Sequence, residues 1–209
     1  MAGSDAKHRE ENEVEFSRIV AFSDGVFAIA ITLLVLQLEV PERTAGAHLW
    51  SELWDQRQDV FAYAISFAVV GRFWLVHHRF FGEVVRFDSR LIALNLFYLA
   101  WIVLMPFSSE VLGDHGGTEA AVVLYAANLV GVILVGSLLF AYAHRSGLTR
   151  TSPEEVRADR RRALAIAAFF LVSIPIAFLN PTLAPYCWLA LFVSGTAGHF
   201  ARRRRRQPR

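Results

Sequence analysis

The first apolar stretch of the chain, residues 16–40, carries a charged side chain inside a segment long enough to cross a bilayer. About 20 mostly apolar residues, at roughly 1.5 Å each, cover the hydrocarbon core. Ser23, Asp24 and Gly25 lie well inside the first end of this stretch. A carboxylate at that depth costs roughly 2.5–3.5 kcal/mol, so Asp24 is expected to face protein or water and to have a partner. We therefore predict that Asp24 marks a functional site.

Helical spacing divides this segment into two faces. One face is a narrow, mostly apolar stripe made of Arg18, Phe22, Gly25, Ile29, Thr32, Leu33 and Leu36. Ser23 and Asp24 lie off this stripe, where they can hold the helix against its neighbours. Periodicity alone favours plain packing or lipid contact as the role of the apolar stripe.

The composition is that of a membrane protein, because 55% of the residues are hydrophobic and 17 of 209 are Phe. The length predicts a single domain, 1–209, without a separate soluble catalytic module. The one cysteine, Cys187, excludes an intrachain disulfide and a CxxC-type metal site. No short hydrophobic region with a small-residue cleavage site opens the chain, so its first apolar segment is predicted to be a membrane helix.

Hydropathy predicts an all-α membrane protein with six transmembrane helices. Their approximate bounds are 16–40, 59–81, 91–111, 120–143, 163–179 and 185–200. Residues 1–15 are predicted to be disordered or a short interfacial helix, and Pro41 is expected to end the first span. A loop over 41–57 would place Trp50 and Trp54 at the bilayer interface.

The distribution of basic residues predicts the orientation of these helices. With six spans, 18 of the 21 Lys and Arg residues fall on one side, which the positive-inside rule makes cytoplasmic. Both termini are then cytoplasmic, and the chain is predicted to be a multi-pass protein of the plasma membrane. The basic tail, 201–209, abuts a span, so it is interpreted as a topology anchor at the anionic inner leaflet and not as a nucleic-acid site.

Several polar side chains are predicted to lie at similar depths in the bilayer. Counted from the basic ends of the spans, Asp24 and Arg72 are level, Asn95 lies slightly nearer the same surface, and His77 and His78 lie close to the interface. A network among these groups would satisfy side chains that are costly to bury alone. In the alternative interpretation Arg72 extends toward the headgroups and the two histidines are merely interfacial.

The sequence offers no visible catalytic or metal site. The adjacent His77 and His78 point about 100° apart on a helix, and no carboxylate accompanies them at ligand spacing. A Gly-rich phosphate loop, a GxSxG motif and an HExxH motif are all lacking. We therefore predict that the protein is not an enzyme and needs no metal or other cofactor.

The R-x-x-x-F-S-D-G element that begins at Arg18 resembles the signature of the transmembrane protein 175 family of potassium channels. Further matches to the family pattern are Trp74, His77, His78, Asn95 and the pair Pro106-Phe107. The resemblance implies a passive, potassium-selective channel in which first helices surround a central pore. K⁺ would then be the permeant ion.

The resemblance also implies roles for individual residues. Ile29, Leu33 and Leu36 would narrow the pore as a hydrophobic gate, with Ile29 as the tightest ring. Thr32 would supply a hydroxyl beside the pore. The family pattern assigns Arg18, Phe22, Ser23 and Asp24 to holding the first helix in register with spans two and three. The partners implied for them are His77, His78 and Asn95.

The signature occurs once, so each chain supplies one pore helix. A ring of identical helices requires a cyclic homo-oligomer, and the resemblance to single-repeat bacterial members implies a homotetramer in the lipid bilayer. Two other functions stay open. One is a weakly selective cation or proton leak in which Asp24 and the histidines relay protons, and the other is a non-conducting membrane scaffold or redox protein.

Overall fold

The computed structural model describes residues 2–38, 49–181 and 188 of the chain, and this part is helical. Its helices are α1 Ala2–Val35, α2 Leu49–Asp55, α3 Arg57–Gly82, α4 Ser89–Val103, α5 Met105–His115, α6 Glu119–Arg145 and α7 Pro153–Leu179. Five segments of this part are long and apolar enough to cross a membrane: Glu13–Val35, Arg57–Gly82, Ser89–His115, Glu119–Arg145 and Pro153–Leu179. The predicted sixth span, 185–200, lies outside the described residues except for Trp188, and the basic tail lies outside them entirely.

Helix α1 differs from the prediction at both ends. It begins at Ala2, so residues predicted to be disordered or interfacial continue directly into the first span. It ends at Val35, before the predicted residue 40, and the chain tightens into a turn in which Leu36 N–H donates to the Leu33 carbonyl at 3.2 Å. The side chain of Gln37 then donates to the carbonyl of Pro106 at 2.5 Å. The end of the first helix is thereby tied to the third span.

The third span consists of two helices and not of the one that we predicted. Helix α4 ends at Val103 and α5 begins at Met105, with Leu104 between them. Pro106 lies in the first turn of α5, where its missing N–H leaves no helical hydrogen bond unmade. The break therefore falls where proline is best tolerated.

Two further helix boundaries differ from the predicted ones. Helix α7 begins at Pro153, and Ser152 and Glu155 form a capping box at its start, so the arginines before residue 163 lie on a helix and not in a loop. Residues predicted as loop include the short helix α2, on which Trp50 and Trp54 are exposed.

The helices form a bundle in which α6 packs on α4, α5 and α7. Helix α1 packs on α3, α4 and α5, and α3 packs on α5. The core includes Leu34 of α1, Ile102 of α4 and Leu139 of α6, all fully buried. Because α1 has neighbours on one side, its other side is left uncovered by the described part of the chain.

The loops at the predicted cytoplasmic end are joined to each other. Val84, after α3, forms an antiparallel bridge with Thr149, after α6. Arg150 N–H donates to the Glu83 carbonyl at 3.0 Å in the same bridge. Asp88 caps α4 and accepts a 2.6 Å hydrogen bond from the hydroxyl of Tyr142 on α6. The two basic loops therefore form one continuous surface.

Candidate functional site

Helix α1 has one exposed face and one buried face. In the single chain, Ile29 is 61% exposed and Leu36 is 75% exposed. The other exposed members of the predicted stripe are Arg18, Phe22, Thr32 and Leu33. The opposite face buries Ser23, Phe27, Ala30 and Leu34 against the bundle. The stripe identified from helical spacing is thus the face of α1 that the other described helices leave uncovered.

Thr32 supplies the hydroxyl on this uncovered face. Its Oγ1 donates to the carbonyl of Ile29, in the preceding turn, at 2.9 Å. Because this bond uses the hydroxyl proton, the oxygen lone pairs remain as acceptors on the exposed side of the helix. A cation or a water molecule beside α1 would meet an oxygen acceptor at this level.

A chain of three hydrogen-bonded side chains ties α1 to α4 and α3. Asn95 Nδ2 on α4 donates to Ser23 Oγ on α1 at 2.9 Å, and Ser23 Oγ donates to the Ile19 carbonyl at 2.9 Å. Asn95 Oδ1 and His77 Nε2 lie 2.9 Å apart. Since an amide oxygen only accepts, Nε2 is the protonated nitrogen of His77. Ser23 Oγ, Asn95 Nδ2, Asn95 Oδ1 and His77 Nε2 therefore each have a protein partner.

The ring of His77 lies among aromatic side chains and is 1% exposed. Its centroid is 4.4 Å from that of Phe81 and 5.3 Å from that of Phe27. Tyr98 stacks nearly parallel to it, at 5.6 Å and 9°. These contacts fix the orientation of the imidazole, so its hydrogen bond to Asn95 is directed by packing as well as by chemistry.

The partner of Asp24 is Trp74, whose Nε1 donates to Asp24 Oδ1 at 2.8 Å. The indole of Trp74 also stacks on the exposed ring of His78, at 5.3 Å between centroids. We predicted Arg72 as a member of this network, but Arg72 is exposed and makes no ion pair with Asp24 in the described part of the chain. Helical residues two apart point about 200° apart, so Trp74 facing α1 directs Arg72 away from it.

Arg18 and Phe22 also lie apart from these contacts. The family pattern assigned both to holding α1 on spans two and three, yet both are on the exposed face. Adjacent helical residues point about 100° apart, so Phe22 turns outward when Ser23 turns inward. The structure brings Ser23 together with His77 and Asn95, and it leaves Arg18 and Phe22 on the exposed face of α1.

A second buried polar cluster lies behind the break in the third span, and sequence reasoning missed it. Asn128 Nδ2 on α6 donates to Ser108 Oγ at 2.9 Å, and Ser108 Oγ donates to the Met105 carbonyl at 3.1 Å. Ser66 and Tyr125 are hydrogen-bonded to each other at 3.0 Å. The available signal was the amide of Asn128 within an apolar span, as for Asn95.

Comparison with known proteins gives these features a family. A model of the family described as the endosomal/lysosomal potassium channel TMEM175 matches residues 18–106, from α1 to the start of α5. A potassium channel of Streptomyces collinus is 34% identical over 187 residues, which cover 85% of this chain and 91% of the relative. The chain belongs to the TMEM175 family. The resemblance inferred from the R-x-x-x-F-S-D-G element is thereby confirmed.

Other members of the TMEM175 family agree in fold. The crystal structure of a lysosomal potassium-selective channel TMEM175 homolog from Chamaesiphon minutus superposes with a TM-score of 0.74 at 30% identity, covering 87% of this chain and 97% of that one. The endosomal/lysosomal proton channel TMEM175 of Gallus gallus is 31% identical over 131 residues, which cover 51% of this chain and 26% of the relative. These relatives are channels and not enzymes, and the multi-pass helical membrane fold is confirmed.

Proposed function

We propose that this chain is a potassium channel, a homotetramer in which α1 of each copy lines a central pore and K⁺ moves passively down its gradient. The observation that carries the proposal is the uncovered face of α1, which is apolar at Ile29, Leu33 and Leu36. The names of the Streptomyces and Chamaesiphon relatives supply the ion. One helix cannot enclose a pore, so copies arranged about a symmetry axis are required.

The apolar residues of the uncovered face would form the narrow part of the pore. Rings of Ile29, Leu33 and Leu36 make a hydrophobic constriction, and such constrictions gate by wetting and dewetting. The chain has no TVGYG-like segment, so a carbonyl filter is not the source of selectivity. K⁺ loses water more readily than Na⁺, so a constriction that removes water favours K⁺. Thr32 adds a hydroxyl oxygen between the rings.

The contacts of the buried face support a fixed direction for the pore face. Ser23 is hydrogen-bonded to Asn95, and Asp24 to Trp74, so rotation of α1 about its axis would break both bonds. The open face would then point at the axis in every copy. The basic loops joined by the Val84–Thr149 bridge would lie in the cytoplasm, with both termini on that side, in the plasma membrane.

A proton or weakly selective cation leak is the second candidate, and the name of the Gallus gallus relative is the observation in its favour. A relay from Asp24 to the histidines has less support. Asp24 is hydrogen-bonded to the indole N–H of Trp74, which donates only and cannot pass a proton onward. A haem-type redox role also has less support, because Asn95 occupies Nε2 of His77.

Flux from liposomes tests the proposal. Purified protein is reconstituted under separate outward gradients of K⁺, Na⁺ and H⁺, as wild type, as Ile29→Ala and as Val172→Ala. Val172 on α7 is a matched control, because it is 63% exposed and Ile29 is 61% exposed. We expect K⁺ flux well above Na⁺ flux, changed severalfold by Ile29→Ala and unchanged by Val172→Ala.

Each alternative predicts a different outcome of this experiment. Flux driven mainly by H⁺ would replace the potassium channel by the proton leak. Absence of flux from a folded oligomer would leave the scaffold. Equal effects of the two substitutions would place the pore elsewhere than at α1.

A further inference from the structure

The outer face of α3 carries two arginines within its membrane span. Arg72 and Arg79 are seven residues apart, so they point in nearly the same direction and are separated by about 10 Å along the helix. Both side chains are exposed in the single chain. Arg79 lies at the end of α3 nearest the basic loops, and Arg72 lies two turns deeper. Guanidinium groups at this depth require an anion, water or the interface as a partner.

Helix α7 brings a third guanidinium to the same region. The charged groups close enough to act on Arg72 are Arg79, Arg162 and Asp159. Asp159 forms an ion pair with Arg162 at 3.3 Å, and both side chains are more than half exposed. In the described part of the chain, Arg72 and Arg79 form no ion pair. Three positive groups therefore share a single carboxylate.

Helices α3 and α7 both contact α6. Phe80 of α3 stacks on Phe140 of α6 at 4.1 Å, and α7 packs along α6. The bridge between Val84 and Thr149 ties the loop after α3 to the segment that leads into α7. The arginines are therefore carried on supported helices and not on a loose loop.

Apolar side chains continue the same surface toward the bilayer centre. Ala68 is exposed on α3 one turn deeper than Arg72, and Leu75 is exposed between Arg72 and Arg79, both on the side of Arg72. Ile166, one turn deeper than Arg162 on α7, is also exposed. The surface therefore has a basic end near the interface and an apolar part below it. This is the polarity of a phospholipid with an anionic headgroup and acyl chains.

We propose that Arg72, Arg79 and Arg162 bind the phosphate of an anionic phospholipid whose acyl chains lie along α3 and α7. Guanidinium groups form paired hydrogen bonds with phosphate oxygens, and Arg is preferred where such recognition is needed. Basic surfaces between membrane helices bind acidic headgroups on the cytoplasmic side. A lipid with a net negative charge complements the excess of positive charge at this surface. A zwitterionic lipid complements it less well, because its headgroup also carries a cation.

Lipid binding to the intact oligomer tests this site. Purified full-length protein in detergent is titrated with phosphatidylglycerol or with phosphatidylcholine of the same acyl chains, and retained lipid is counted by native mass spectrometry. The variants are Arg72→Gln, Arg162→Gln and Arg72→Lys. The matched control is Arg160→Gln, because Arg160 is exposed on the same helix but points about 200° from Arg162.

We expect phosphatidylglycerol to bind in preference to phosphatidylcholine, and Arg72→Gln and Arg162→Gln each to weaken that binding about fivefold. Arg72→Lys should lose less than Arg72→Gln, because lysine keeps the positive charge but not the paired hydrogen bonds, and Arg160→Gln should retain all of the binding. Inorganic phosphate at the same concentration should not compete, because it lacks the apolar part.

Three outcomes would overturn the proposal. They are equal binding of the two lipids, an equal loss in Arg160→Gln, and unchanged binding in Arg72→Gln and Arg162→Gln. If Arg72→Gln does not assemble, Arg162→Gln still decides, since Arg162 lies on the exposed first half of α7.

Discussion

The hydrogen bond between His77 and Asn95 allows a quantitative test of how α4 is held to α3. His77→Phe keeps a ring among Phe81, Phe27 and Tyr98 but leaves Asn95 Oδ1 without its donor. Asn95→Leu leaves His77 Nε2–H without its acceptor and also removes the donor to Ser23. The double variant removes both ends of the bond at once. A double-mutant cycle of these changes therefore isolates the pair.

The burial of the pair sets the expected coupling energy. A buried group left without a partner costs about 1–3 kcal/mol. Measured couplings in membrane proteins average about 0.6 kcal/mol and reach about 1.7 kcal/mol. His77 and Asn95 are each only 1% exposed, so water does not replace a lost partner. We expect each single substitution to cost about 2 kcal/mol of unfolding free energy, and the coupling to be about 1–1.5 kcal/mol.

The free energy of unfolding is measured by denaturation in mixed detergent and dodecyl sulfate, at a fixed protein concentration because subunit association contributes to the stability. Tyr125→Phe combined with Asn95→Leu is the control, because Tyr125 bonds to Ser66 and shares no bond with Asn95. Those two changes should add. Additive effects of His77→Phe and Asn95→Leu, with a coupling below about 0.3 kcal/mol, would refute the reasoning.

Two further predictions concern packing and pH. A Cβ at Gly131 would lie 2.3 Å from the ring of Trp101, so Gly131→Ala should destabilise the fold by about 1–3 kcal/mol. A Cβ at Gly71 would meet no atom within 4 Å, so Gly71→Ala should leave the melting temperature unchanged or raise it. Similar melting temperatures for the two variants would contradict the close approach of α4 and α6. The hydrogen bond from Tyr142 lowers the pKa of Asp88 below its usual value of 3.8. Because the pKa of Asp88 is lower in the folded state than in the unfolded state, this carboxylate stabilises the fold above its unfolded-state pKa. That stabilisation is lost as the pH falls through the folded-state pKa. The melting temperature of the wild type should therefore fall more than that of Tyr142→Phe between about pH 6 and pH 3, and equal falls would exclude this contribution.

The two faces of α1 could be predicted because periodicity is a property of one helix. The spacing that grouped Ile29 with Leu36 is the spacing that exposes them together, and Ser23 is buried for the same reason. The predicted polar network also contained His77 and Asn95, which are hydrogen-bonded, although the depth count placed His77 nearer the interface than Asn95. The pattern within one helix follows from the sequence, whereas the level of a side chain relative to a neighbouring helix follows only roughly.

The partner of Asp24 did not follow from the same count. Arg72 and Trp74 lie within two residues of each other, so both are near the depth of Asp24. The depth of a residue in the bilayer does not specify which side of α3 faces α1. Opposite charge therefore favoured Arg72 as the predicted partner of Asp24. The rotation of α3 is fixed by its packing on α1 and α5, and that packing selects Trp74. Rotation about a helix axis is a tertiary property.

Helix ends were the other weak point. Helix α1 ends at Val35 and not next to Pro41, and Gln37, just after this end, is hydrogen-bonded to the third span. The start of α7 had a local signal, since Ser152 followed three residues later by Glu155 is a capping box. Hydropathy alone did not detect this start of α7, because the arginines that follow it are charged. Capping chemistry, where present, locates a helix end better than the apolar run does.

The attachment of α1 to the bundle at two heights restricts how this helix can move. Ser23 is bonded to Asn95 on α4, and about 20 Å further along the chain Gln37 is bonded to the Pro106 carbonyl on α5. Because α1 is held at these two points, it can neither rotate about its axis nor translate along it without breaking one of the two hydrogen bonds. In the channel proposed above, a change in the distance between neighbouring copies of α1 would therefore require α4 and α5 to move together with it. Because α4 and α5 pack on α6, such a movement would occur against α6.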